Sequence, residues 1–285
     1  MNHPAELKVH QYMSDAVNGK STMSEEVIDQ VGNDVKDALR KQFGGGNQRG
    51  EFRLRMSNLG RPTCQLWFEK NKPELASPKP NNFMINMMLG DIVEAVFKGL
   101  LRGAGVKYEE PEHVSLDVDG TTISGTYDLV VDGAVDDVKS ASGWSYDNKF
   151  VNYETLREGD AFGYVSQLIG YAKAAKKKIG GWWVVNKANG KFKYVSAQNA
   201  EADYEMRRIR ATVETVKHNK FERCFEDSAE TWRGKPTGNR RLGITCGFCD
   251  YKHACWENLK ELPSVMSKAK IPPTVYYTEL TEEYA

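Results

Sequence analysis

The stretch Gly125-Thr126-Tyr127-Asp128-Leu129-Val130-Val131-Asp132-Gly133-Ala134-Val135-Asp136-Asp137-Val138-Lys139 reads as a β-hairpin whose turn sets two carboxylates face to face. Asp-Gly is a favoured two-residue turn, and runs rich in Val, Leu and Tyr flank it. If Val131 pairs with Ala134, Asp128 stands opposite Asp137. Directly opposed side chains share a face with Cβ atoms about 5 Å apart, so the two acids repel unless a cation sits between them. Alternation along the strand places Lys139 on the face of Asp137 and turns Asp136 and Val138 away. A carboxylate pair beside an ammonium suits Mg²⁺, which keeps waters available for attack on a phosphate. The lysine can orient or deprotonate that water, or stabilise charge developing on phosphorus. A solvated hairpin face would show the same letters. Against that, Leu129-Val130-Val131 is apolar on both faces, as in a central strand, where unpartnered charge is costly.

The rest of the chain sets bounds. Its 285 residues, 40% of them hydrophobic and 27% charged, suit one large domain or two small ones. No apolar run approaches the roughly 20 residues of a membrane span, and the first residues lack the apolar core of a signal peptide. A cytoplasmic protein is expected. Lys plus Arg and Asp plus Glu are both 39, so a nucleic acid would have to be met by local patches. Candidates are Lys173, Lys176, Lys177 and Lys178; Arg207, Arg208 and Arg210; Arg233, Lys235, Arg240 and Arg241; and Arg53, Arg55 and Arg61. Trp144, Tyr146, Phe150 and Tyr153 follow Lys139 closely in a loop-like segment, where they either pack on the sheet or stack on bases.

Helical spacing runs over 24–43, with Thr22 and Glu25 as a capping box, and over 82–102, with Leu89, Ile92, Val93, Val96, Phe97 and Leu100 as its buried stripe. A three-strand meander over 113–118, 121–131 and 134–140 follows, then a helix at 160–178, strands at 181–186 and 191–197, and a charged helix at 199–220. Residues 1–50 form a helical segment, 51–260 the main domain, and 261–285 an extended tail.

Glu94 lies at the margin of the apolar stripe of its helix, and Gly90, one turn earlier, permits close approach. Gln167 and Tyr171 share one helix face. Cys246-x2-Cys249-x5-Cys255 crowds three thiols into one short stretch, and Cys64 can supply a fourth for a tetrahedral sulfur site. Zinc and an iron–sulfur cluster both fit that spacing, and a disulfide framework does not suit a cytoplasmic chain. Closing residue 64 onto residue 246 would staple the chain around the hairpin. Cys224 is left over as a buried structural thiol.

Taken together, Glu94, Asp128, Asp137-x-Lys139 and Gln167-x-x-x-Tyr171, bracketed by the four cysteines, resemble the RecB-type branch of the PD-(D/E)XK nucleases, specifically its iron–sulfur exonucleases. The CRISPR-associated RecB-like exonucleases and the nuclease domain of AddB are of this kind. The resemblance spans residues 60–256. It implies an α/β, restriction-endonuclease-like core, a mixed central sheet flanked by helices, with a C-terminal cysteine-ligated cluster. It makes Glu94, Asp128, Asp137 and the backbone carbonyl of Val138 ligands of Mg²⁺ or Mn²⁺. Lys139 becomes the catalytic lysine, and Gln167 with Tyr171 orient the substrate. Cys64, Cys246, Cys249 and Cys255 would hold a 4Fe-4S cluster, with Zn²⁺ as the alternative. Two departures stand out: Gly90 occupies the place of the usual histidine, and the interval from Asp128 to Asp137 is short. The implied activity is a DNA exonuclease acting on single strands or ends, with Arg61, Trp144, Tyr146, Lys173 and Lys176 as candidate DNA contacts. The expected setting is recombination, repair or phage DNA metabolism, with recombination proteins as partners. The alternatives are a structure-specific endonuclease and a non-catalytic DNA-binding scaffold.

Overall fold

The computed structural model describes residues 3–44 and 50–281. Helices α1 (Pro4–Val17), α2 (Glu25–Phe43), α3 (Thr63–Asn71) and α4 (Phe83–Gly103) precede strands β1 (Tyr108–Glu109), β2 (His113–Val118), β3 (Thr121–Thr126), β4 (Leu129–Val131) and β5 (Ala134–Ala141). Next come α5 (Gly143–Asn148), α6 (Tyr153–Glu158), α7 (Tyr164–Ala175), β6 (Lys178–Asn186), β7 (Phe192–Ser196) and α8 (Ala202–His218). The chain ends with β8 (Ser228–Trp232), β9 (Lys235–Arg241), α9 (Ile244–Gly247), α10 (Lys252–Cys255), β10 (Lys260–Pro263) and β11 (Thr274–Glu279). Two compact units result: 1–60 with 80–211, and 61–79 with 212–285.

The first unit is built on a five-stranded sheet in the order β1-β4-β5-β6-β7, with β5 at its centre. Only β5 and β6 run parallel; the other neighbours are antiparallel. The turn at Asp132 and Gly133 has both residues at positive φ, the left-handed geometry of a tight hairpin. It pairs Val131 with Ala134 and Leu129 with Asp136, the register expected from the Asp-Gly signal. The meander is not continuous, however. The chain leaves the ladder at Tyr127 and Asp128, so β2 and β3 form a separate two-stranded sheet. Tyr127 is the reason: it is fully buried, and its hydroxyl donates to Glu112 at 3.1 Å, an anchor that turns the strand at that point.

One face of the sheet carries Leu129, Val131, Val138, Trp183 and Phe192, covered by Ala5 and Val9 of α1 and by Phe97 and Leu101 of α4. Helix α7 packs on β5 and β6. Helix α4 follows the expected span, but its stripe is rotated: Ala95, Phe97, Lys98, Gly99 and Leu101 are buried, while Leu89 and Val96 are exposed. Helix α2 is capped by Ser24, whose hydroxyl accepts from the Val27 amide, and not by Thr22. The segment after Lys139 folds into α5 and α6, capped by Ser142 and Asn152, where a loop was expected. Phe150 and Tyr153 are buried in it.

The second unit holds a four-stranded sheet in the order β10-β11-β9-β8. The expected C-terminal tail supplies β10 and β11. Val275 and Tyr277 alternate inward on β11, and Tyr277 is fully buried, a period-two pattern that places them in a core. Helix α3 joins this unit through aromatic contacts of Trp67 and Phe68 with Phe221, and Phe68 stacks on Tyr251.

Candidate active site

Asp128 sits where the chain re-enters the sheet, and its Oδ2 accepts from the Val138 amide at 2.8 Å. That bond ties the first acid to the strand carrying the second. Asp137 is 4% exposed. Lys139 Nζ lies 2.7 Å from Asp137 Oδ1 and 2.6 Å from Oδ2. Only Oδ1 receives a well-aligned hydrogen bond, so the buried Oδ2 has a charge contact without a directed donor. Burial pushes the Asp137 carboxyl up to about 7 against the pull of Lys139, with Asp128 and Glu94 adding to the rise. Burial opposes the charge on Lys139 as well, but Asp137 and Asp128 outweigh it and raise its pKa.

Glu94 reaches the same place from α4. Burial, then the charge of Asp128, raises its pKa, while Lys98 and Lys139 oppose the shift. Lys98 Nζ is 2.5 Å from Glu94 Oε1 and the lysine is 5% exposed. This partner went unread in the sequence, although Glu and Lys four apart on a helix are its ordinary signal. Tyr171 is buried beside the acids, which, after burial, raise its pKa to about 12; the Gln167 amide is its hydrogen-bond partner. The structure therefore gathers Glu94, Asp128, Asp137, Lys139, Gln167 and Tyr171 around one end of the hairpin. Gly90 also faces this strand, since a Cβ there would meet Ser140 Oγ at 3.7 Å.

Asp136 differs from its neighbour although both are buried. Its Oδ1 accepts from the Gly181 amide and the Tyr194 hydroxyl, both at 2.8 Å, and its Oδ2 from Trp183 Nε1 at 3.0 Å. Asp136 is thus fully satisfied by the fold, while among the side chains Asp137 is held by the Lys139 ammonium.

The four cysteines line one pocket of the second unit, together with Pro62, Phe225 and Trp256. Burial raises the thiol pKa of Cys246 to about 11 and that of Cys249 as well. Cys224 is exposed, not buried as expected. Its sulfur accepts from the Cys64 amide at 3.1 Å and lies 3.3 Å from the Thr63 hydroxyl. A hydrogen bond from the Cys64 thiol leads the lowering of its pKa to about 6 and, in return, raises that of Cys64. Among the described residues, no three His, Cys, Asp or Glu side chains form a ready-made metal site. The donor chemistry fits nonetheless: hard oxygens converge at the hairpin, and soft sulfurs line the pocket.

Of the expected DNA contacts, Trp144 is 67% exposed, and Lys173 and Lys176 are exposed. Tyr146 is packed under Lys193, whose Nζ lies 4.1 Å from the ring, and Arg61 is paired with Glu69 at 3.1 Å. Lys177, Arg208 and Arg240 are likewise paired with acids. No helix among the described residues is long and apolar enough to cross a membrane.

A family model described as the PD-(D/E)XK nuclease superfamily matches residues 9–256. The chain belongs to that superfamily. Its mixed sheet with flanking helices fits a restriction-endonuclease-like core, and the superfamily is one of metal-dependent nucleases that usually use Mg²⁺ or Mn²⁺. No curated protein matches the chain. Among solved structures, "Crystal structure of SSO0001" is similar, with 12% identity over 81% of this chain and 96% of that one. The TM-score of that likeness is 0.43.

Proposed function

We propose that this PD-(D/E)XK nuclease is a DNA exonuclease of the RecB-like iron–sulfur type, acting on single strands or DNA ends in recombination, repair or phage DNA metabolism. The observation that carries the reading is the convergence of Asp128, tied to the Val138 amide, on Asp137 and Lys139, with Glu94 drawn to the same end of the hairpin. Glu94, Asp128, Asp137 and the Val138 carbonyl would hold Mg²⁺ or Mn²⁺, which supplies Lewis-acid activation of water and charge neutralisation at the phosphate. Lys139 orients the attacking water from the Asp137 side and can stabilise charge on phosphorus. Tyr171, kept protonated by its raised pKa, donates toward the substrate and is held by Gln167. Cys64, Cys246, Cys249 and Cys255 would hold a 4Fe-4S cluster, with Zn²⁺ as the alternative, and fasten the second unit.

End-labelled DNA with Mg²⁺ or Mn²⁺ tests the reading. Digestion is expected from the ends, with Asp137→Ala and Lys139→Ala each reducing it by at least about a hundredfold. Undiminished cutting by both variants would sink it. Cutting of circular single-stranded DNA would make the enzyme an endonuclease instead, and binding without any cutting would make it a scaffold.

A further inference from the structure

Cys224 lies outside the four-cysteine pattern, and neither that pattern nor the family match gives it a role. It is exposed. Its sulfur meets the start of α3, where it accepts from the Cys64 amide at 3.1 Å, lies 3.3 Å from the Thr63 hydroxyl and receives a hydrogen bond from the Cys64 thiol. The two sulfurs are neighbours although the residues stand 160 apart in the chain. Cys64 also lines the pocket with Cys246, Cys249 and Cys255, and so do Arg223 and Phe225, the residues on either side of Cys224. Within one compact unit, Cys64 therefore has two sets of sulfur partners: the pocket thiols and Cys224.

The backbones that carry this pair are fastened to each other. Trp67 Nε1 donates to the Asn219 carbonyl at 3.1 Å, Lys70 Nζ to the Val216 carbonyl at 2.8 Å, and Asn71 and Asn219 exchange side-chain amide hydrogen bonds at 2.8 and 3.0 Å. Phe221 packs on both Trp67 and Phe68. Next to Cys224, Arg223 donates to the Cys255 carbonyl at 2.7 Å, and its guanidinium lies 4.0 Å over the Trp256 ring. A disulfide needs Cβ atoms about 4 Å apart and resists backbone mismatch. Sulfurs already in contact on fastened backbones can join by turning their side chains. Closing so long a loop also restricts the unfolded chain more than a short one would.

We propose that Cys64 and Cys224 form a reversible disulfide that withdraws Cys64 from the pocket, so that oxidation of the pair and metal loading exclude one another. The exclusion rests on reading the four cysteines as a metal site; the pairing itself does not. The oxidant is a low-molecular-weight disulfide such as glutathione disulfide. Cys224, the exposed member, attacks one of its sulfurs as the thiolate, forming a mixed disulfide and expelling one glutathione thiolate. Cys64, deprotonated in turn, attacks the Cys224 sulfur, closes the protein disulfide and expels the second glutathione thiolate. Two protein thiols are oxidised, one small disulfide is reduced to two thiols, and the two protons pass through solvent to the leaving sulfurs. An exposed bridge is open to reduction, the property of a redox sensor and not of a structural staple.

The test treats the full chain, stripped with a chelator, with glutathione disulfide, blocks the remaining thiols with N-ethylmaleimide and maps the unreduced digest by mass spectrometry. The Cys64–Cys224 peptide is expected to dominate, and to be scarce when zinc is added before the oxidant. Zinc uptake, read with a chromophoric chelator, should fall at least about tenfold in the oxidised chain, because a metal ligand must be a free thiolate, and dithiothreitol should restore it. Cys224→Ser should keep uptake within about twofold of its own reduced level, since the half-buried Cys64 has lost its exposed partner. A dominant bridge among Cys246, Cys249 and Cys255, or no bridge at Cys64, would overturn the pairing. Undiminished zinc uptake by the bridged chain, or an equal loss in Cys224→Ser, would overturn the exclusion. A reduced parent chain that takes up no metal overturns the metal reading, and the disulfide map still decides the pairing on its own.

Discussion

The hairpin and the cysteine pocket both gather side chains of metal-ligating types, yet they are stabilised in opposite ways. At the hairpin the chain supplies its own counter-charges: Lys139 on Asp137, Lys98 on Glu94, and a backbone amide on Asp128. That site can fold before any metal arrives. In the pocket, Cys64, Cys246 and Cys249 are pushed toward the neutral thiol, chiefly by burial for the last two and by Cys224 for the first, and short elements hang from them: α9 and α10 have four residues each. The contrast separates a site organised by the sheet from one whose surroundings would depend on the proposed metal.

The strongest way to break the hairpin is from beneath. A Cβ at Gly180 would stand 2.0 Å from Asp136 Oδ1 and 2.7 Å from the Val135 carbonyl, where the parallel pairing of β5 with β6 shifts register. Neither atom can retreat, because the carboxylate is already hydrogen-bonded on both oxygens and the carbonyl is backbone. Gly180→Ala should therefore cost on the order of 4 kcal/mol or more, read as loss of the cooperative thermal transition of the first unit. A variant with unchanged melting would show that this register is not what supports the site.

Metal removal should act on the other unit. If the cysteines hold the proposed cluster or zinc, stripping it is expected to destabilise the second unit by several kcal/mol, since binding free energy there would be folding free energy. Removing the Mg²⁺ or Mn²⁺ proposed for the hairpin should leave melting almost unchanged. Calorimetry before and after each treatment checks both arms, and equal shifts would erase the contrast.

The same difference explains what could be read from sequence. The hairpin register was legible because a two-residue turn and period-two alternation are local rules, carried by Asp132, Gly133 and the apolar run before them. What escaped depended on distant partners. Tyr127 breaks the strand because of Glu112, and Val275 and Tyr277 form a strand because β9 and β10 lie beside them. Cys224 joins the thiols because a helix start from the other end of the chain meets its sulfur. Lys98 was hidden for another reason: a lysine amid apolar residues reads as solvent-facing until its half-buried acid partner is seen beside it.

The smallest effect sits on the opposite face of the same strands. Helix α1 falls within the expected helical segment 1–50, but its start went unread because its cap is a histidine: His3 Nδ1 accepts from the Ala5 amide at 3.2 Å, and Pro4 follows at the first helical position. The ring also packs on Trp183 and Tyr194, the two side chains that donate to Asp136. Burial lowers the His3 pKa, although Asp132 and Glu6 pull it upward. A histidine whose folded pKa lies below its unfolded value of about 6.5 binds fewer protons in the folded chain, so its contribution is complete above about pH 6.5 and lost as pH falls through the folded pKa. Protonation also removes the acceptor that caps the helix. The loss should stay near the roughly 1 kcal/mol of an N-cap, because the ring is partly exposed and solvent screens its charge. Asparagine caps a helix without titrating, so urea unfolding at about pH 8 and about pH 5 should show a drop in the parent chain that His3→Asn lacks. An equal drop in both would place the acid sensitivity elsewhere and detach α1 from the support of the hairpin.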